Sequence, residues 1–195
     1  MARLSAEILA AEIPAASIRL WWLGQAGFAL KTPRGKIIYA DPYLSDAVER
    51  LHGFKRLSLA PIAADEVRAD LVVLTHEHAD HLDPDAVPVI ARLNPRCRFA
   101  APVGCLEGLA QAGVAAERTI VLEANRVYDL ECVVLHTVPA DHGDLSPSAL
   151  SLMLDYEGIR VLFTGDTSHR PVLLQPLLEI QPDSSFLAST ASSAT

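Results

Sequence analysis

Three histidines and an aspartate fall within six residues of the segment Thr75-His76-Glu77-His78-Ala79-Asp80-His81. Neutral imidazole suits zinc, iron or manganese, and a carboxylate adds a hard oxygen donor, so the segment holds the ingredients of a metal site. In an extended backbone His76 and His78 project to the same side, while Asp80 and His81, beyond a turn, approach a second position. The spacing favours two ions over one. A solvated loop has no use for four donors so close together. A structural zinc site is the stronger competitor, but such sites usually close their shell with several cysteines, and none lies in this segment.

Donors of this kind need a rigid edge to stand on. The apolar run Leu71-Val72-Val73-Leu74 directly before them reads as a strand. Upstream, 18–24, 27–32 and 36–41 read as a meander of antiparallel strands, with turn residues Pro33, Arg34 and Gly35 between the second pair. Residues 42–70 read as irregular and long enough to be functional. From residue 69 strands at 69–76 and 97–102 alternate with helices at 84–94 and 103–113, which implies an α/β layer arrangement. Residues 119–138 return to strand character. The segments 149–156 and 159–165 form a hairpin about Glu157-Gly158, and 170–180 reads as a helix with Pro171 near its start. A short helix follows an N-cap at Ser5 and ends by Pro14. From Ser184 onward Ser, Ala and Thr dominate, and 184–195 reads as a low-complexity, disordered tail.

The 195 residues, 50% hydrophobic and 21% charged, suit one globular domain. Sixteen basic against 24 acidic residues give a net charge of -8, which disfavours nucleic acid as a partner. Glu7 and Glu12 interrupt the N-terminal apolar stretch, so a secretory signal is not expected, and no apolar run is long enough to span a membrane. Cys97, Cys105 and Cys132 form neither an even disulfide framework nor a CxxC pair. Reduced thiols in a cytoplasmic protein are the expectation.

HxHxDH after a strand resembles the signature of the metallo-β-lactamase-fold hydrolases. That resemblance implies a four-layer αββα fold and directs attention to two later strand ends. His142, in Val138-Pro139-Ala140-Asp141-His142-Gly143, fits the family's third metal-binding histidine. Asp166, in Phe163-Thr164-Gly165-Asp166-Thr167, fits its bridging carboxylate. Asp41, in Ala40-Asp41-Pro42-Tyr43, matches an acidic residue that buttresses the ligands by accepting an imidazole N–H. The stretch Trp22-Leu23-Gly24-Gln25-Ala26-Gly27-Phe28 is similar to the ascorbate-6-phosphate lactonase branch. Gly24 to Gly27 lack the Gly-Lys-Ser/Thr ending of a phosphate loop and lead into a strand, so these glycines are read as turn formers.

By that resemblance His76, His78 and His142 hold one ion, Asp80 and His81 the other, and Asp166 bridges. Two divalent ions would activate a water and polarise the substrate, with Asp80 and Asp166 at the reacting centre. An imidazole-rich shell suggests zinc, whereas the lactonase branch implies manganese. The implied reaction is opening of a lactone or related ester in a small-molecule substrate, a phosphorylated sugar lactone being one candidate. Phosphodiester hydrolysis on the same scaffold and a non-catalytic metal-binding remnant are the alternatives, and homo-oligomer formation stays open. Arg34, Arg50, Lys55 and Arg56 are candidate phosphate contacts, with a solvated surface role favoured. Family members carry a further strand and a final histidine beyond the Gly-Asp-Thr turn and its helix. No histidine follows His169 here. The expectation is a domain, 1–183, that is C-terminally truncated, with a weakened second metal site and low or absent turnover. His169 is a lesser candidate for the pocket edge, His136 reads as interior and His52 as solvated.

Overall fold

The computed structural model describes residues 4–168 and 170–189, with side chains through Phe186. The strands sort into two sheets by the length of the chain between them. β1 (Arg19–Gly24), β2 (Gly27–Lys31) and β3 (Ile37–Ala40) follow one another through short turns and pair antiparallel. β4 (Leu71–Val73), β5 (Arg98–Pro102) and β6 (Thr119–Leu122) continue the same sheet in parallel, each reached by a longer crossover. Those crossovers carry α2 (Ala47–His52), α3 (Ala86–Leu93) and α4 (Leu106–Gln111). The second sheet has the order β11-β10-β9-β8-β7, built from β7 (Val127–Asp129), β8 (Val134–Pro139), β9 (Leu150–Tyr156), β10 (Ile159–Thr167) and β11 (Ser184–Ser189). α1 (Leu4–Ala10) opens the described chain, and α5 (Pro171–Glu179) joins β10 to its parallel neighbour β11.

Strand alternation assigns each apolar side chain to one of three cores. Tyr39, Val72, Leu74 and Phe99 face outward from the first sheet onto Ile8, Val87, Ile90 and Leu109 of the helices. Ile38, Ala40, Leu71 and Val73 face the other way and meet Leu135, Leu152, Leu154 and Phe163 between the sheets. Val138, Met153 and Leu162 turn away from that interface and take Leu177 of α5. Helix, sheet, sheet, helix is the four-layer αββα order that the family resemblance implied.

Several local expectations need correction. Ser5 lies inside α1, where its hydroxyl donates to Glu66 Oε1 at 3.2 Å rather than capping the helix. Residues 42–70 are not wholly irregular, since α2 forms within them. The segment from Ser184 is no disordered tail as far as Ser189: β11 pairs with β10 from Val161↔Ser184 to Thr167↔Ser189. The backbone ladder, not side-chain composition, supports this strand, and Phe186 supplies an apolar anchor at 4.3 Å between ring centroids from Phe28. Residues 190–195 and His169 lie outside the described residues. His136 is half-buried rather than interior, and His52 is exposed. Among the described residues no helix is long and apolar enough to cross a membrane.

Candidate metal centre

β4 stops where its histidine segment starts, and the reason is a change of partner. Leu74 N–H still donates to a neighbouring strand, at Ala100 O, but Thr75 N–H donates instead to the Asp41 side chain at 2.8 Å. Thr75 C=O accepts from Leu150 N–H of the opposite sheet at 3.0 Å. The residue before the first histidine is thus held by both sheets. His78 C=O then accepts from the N–H groups of His81 and Leu82, at 2.9 and 2.8 Å, and this turn swings His81 back over His76. Asp83, fully buried, takes the N–H groups of Leu44, Ser45, Asp85 and Ala86, which fastens the exit of the segment to the start of α3.

The turn brings six donors into one neighbourhood. His78 Nδ1 lies 3.1 Å from His76 Nε2 and 3.0 Å from His142 Nε2. Metal–nitrogen bonds of about 2.0–2.1 Å in tetrahedral directions put neighbouring nitrogens roughly 3.3 Å apart, so these three atoms converge as ligands of one ion converge. On the other side, His81 Nε2 is 3.3 Å from Asp166 Oδ1 and 3.9 Å from Asp80 Oδ2. Asp166 Oδ2 in turn is 3.9 Å from His142 Nε2, so its two oxygens face different histidines. Two compact donor groups result, His76–His78–His142 and His76–His81–Asp166, with Asp80 beside the second. Nitrogen and carboxylate oxygen in this mixture fit divalent zinc or manganese.

Asp41 organises the second group. It adopts a left-handed backbone, φ 42°, in the turn after β3, which an Asp tolerates better than a branched residue. Its carboxylate accepts from Thr75 N–H and Thr75 Oγ1–H, and sits 2.8 Å from His81 Nδ1. A proton on His81 Nδ1 is thereby held, and Nε2 is aimed at Asp166. Burial alone pulls the His81 pKa down, but the charge of Asp41 and the Asp166 hydrogen bond outweigh it and raise the value to about 10. Burial would raise Asp166; the hydrogen bond and charge of His81 hold it at about 2. His76 is pushed down to about 2, first by burial and then by the charge of His81, and burial also lowers His142. An arriving cation therefore meets neutral imidazoles at His76 and His142 and must displace a proton at His81.

Gly165 lets the sheets meet at this point. At φ 58° it suits glycine, and a Cβ there would lie 2.8 Å from Thr75 Cβ, so only a hydrogen fits between β10 and the start of the histidine segment. His76, His78, Asp80, His81, His142, Asp166 and Asp41, all singled out from the sequence, are brought together here. Thr75, Asp83 and Gly165 were not singled out, nor was Asp141, which accepts from Ser168 Oγ and pairs with Arg170 Nε at 3.1 Å beside His142.

Two facing sheets flanked by helices, with imidazoles and carboxylates gathered at the strand ends, define the metallo-β-lactamase type of fold. Residues 26–186 match the family described as Beta-lactamase superfamily domain, and the chain belongs to that family. It is 39% identical over 105 residues, 54% of this chain and 32% of the relative, to a metal-dependent hydrolase of Cupriavidus necator. It is 27% identical over 164 residues, 70% of this chain and 45% of the relative, to the probable L-ascorbate-6-phosphate lactonase UlaG of Escherichia coli. The chain thus spans about a third of the length of the first of these curated relatives and just under half of the second. A metallo hydrolase of Ignicoccus hospitalis shares the fold, with a TM-score of 0.67 at 21% identity over 87% of this chain and 70% of that one.

Proposed function

We propose that the chain carries the metal-binding centre of a hydrolase acting on a small-molecule ester or lactone. The observation that carries the reading is the convergence of His76 Nε2, His78 Nδ1 and His142 Nε2 on one point, beside His81 and Asp166. His76, His78 and His142 would hold one divalent ion, His81 and Asp80 a second, and Asp166 would reach both. Ions bound there supply Lewis acidity, acidifying a water and polarising the scissile carbonyl. Asp41 keeps the His81 ring oriented and its Nε2 directed inward. Asp80, the more exposed of the two site carboxylates, is the side chain placed to take up a proton.

The test is metal analysis of the purified chain together with a panel of lactones and phosphodiesters. Bound zinc or manganese, with slow lactone opening that His78→Ala abolishes, is the expected result. Hydrolysis of phosphodiesters alone would replace the substrate class, and a chain that binds no divalent ion would overturn the reading.

A further inference from the structure

A cleft of about 480 Å³ opens between the β1–β2 turn and the β10–β11 edge. That volume lies within the roughly 300–1,000 Å³ typical of small-molecule sites. It shares two residues with the metal centre: Asp41, which holds His81, and Gly165, the neighbour of Asp166. Four aromatic rings line it, those of Trp22, Phe28, Phe163 and Phe186. Phe28 stands 5.2 Å from Phe163 and 4.3 Å from Phe186 between ring centroids, a cluster already packed without an occupant. Trp22 is 63% exposed, and its indole N–H already donates to Gln25 O at 2.8 Å, so its ring has spent its polar group and offers an apolar face.

Charge decides what this cleft suits. No Lys or Arg lines it among the described residues, and Asp41, the acidic residue in its lining, is buried with its carboxylate turned to Thr75 and His81. The cations that sequence offered for phosphate are engaged elsewhere. Arg34 pairs with Glu157 at 2.8 Å, in the turn at the far end of β2 from the cleft. Arg50 grips both oxygens of Asp85. Arg56 is buried against Tyr43, donating to Tyr43 O at 2.7 Å, and its Nη2 is enclosed rather than presented. Lys55 is exposed and does not line the cleft. A phosphorylated substrate would meet aromatic faces and, among the described lining residues, no Lys or Arg.

We infer that this cleft seats an uncharged aromatic or acyl group of the substrate, so that the preferred substrates are neutral apolar lactones or esters rather than phosphorylated sugars. The inference rests on the hydrolase reading above and narrows its substrate class. Calorimetric titration of the full chain with two non-hydrolysable γ-lactams, one bearing a phenyl group and one a phosphomethyl group, tests it without turnover. The phenyl lactam should bind roughly tenfold more tightly or better, as expected for burying a ring. Trp22→Ala should erase most of that preference, and Ala26→Arg, which adds a cation to the wall, should reverse it. Equal or tighter binding of the phosphomethyl lactam overturns the inference, as does absence of saturable phenyl binding because the chain itself or a second copy fills the cleft. If the phenyl lactam binds but no lactone is opened, the hydrolase reading fails and the cleft assignment stands. If phosphorylated lactones are opened as readily as neutral ones, the cleft assignment fails and the hydrolase reading stands.

Discussion

The two halves of the metal centre share His76 but are supported in opposite ways. In the His81 half, the ring is locked from behind: Asp41 takes its Nδ1 side, Thr75 holds Asp41 twice, and all three are buried. In the other half, the rings of His78 and His142 hydrogen-bond only within the histidine cluster, among the described residues. One half is therefore preformed by the fold, whereas the other has converging rings with no carboxylate behind them. Removing a residue from the first should therefore be felt as lost stability, and from the second as lost metal.

The largest effect should come from Asp41→Ala. It strands Thr75 N–H and the His81 ring in the interior, and a loss of about 3 kcal/mol in urea unfolding of the metal-free chain is expected. A change below about 1 kcal/mol would remove the distinction between the halves. Gly165→Ala comes next, at about 1–3 kcal/mol, because the new methyl meets Thr75 and the left-handed backbone disfavours it. That variant should also bind less metal in both halves, since it moves Asp166. Asp155→Asn supplies a background value away from both. The Asp155 carboxylate accepts from Arg160 Nε and Gly158 N–H, each at 2.8 Å. Burial would raise its pKa, but these bonds outweigh it and hold the value below the ordinary one. A depressed folded value means that its contribution is present above the ordinary carboxylate range and is lost as pH falls through the folded value. The wild-type chain should lose about 0.5–1 kcal/mol of stability to this carboxylate between neutral pH and the acid limb, and the variant should lack that component. His142→Ala should have the smallest effect on the metal-free chain, under about 0.5 kcal/mol. In metal titrations, however, it should remove one of the bound equivalents.

What could be read from the sequence divides along the same line. The donors His76, His78, Asp80 and His81 are legible because one short segment carries them, and its preceding strand is apolar enough to be recognised. His142, Asp166 and Asp41 stand far apart in the chain and became legible only through the family resemblance, which directs attention to later strand ends. The supports behind them were not legible. Thr75 and Gly165 matter because the residue after the end of β4 comes so close to β10 that a Cβ at Gly165 would lie 2.8 Å from Thr75 Cβ, and spacing along the chain does not encode a distance between sheets. β11 escaped notice for a related reason. Its residues, Ser-Ser-Phe-Leu-Ala-Ser, give no alternation, and parallel pairing with β10 forms it anyway. The apolar runs of β4, β9 and β10 were clear, because each is buried on both faces or close to it.

The donors enter the centre from two directions. His76, His78 and His81 follow β4 of the first sheet, while His142 and Asp166 belong to the ends of β8 and β10 in the second. Any ion gripped by either group is consequently a removable cross-link between the sheets, equivalent in topology to a disulfide that a chelator can open. Ligation and folding then share one free energy: at a hundredfold excess of free metal over its dissociation constant the sandwich gains about 2.7 kcal/mol. Metal supply would then set the stability of this fold.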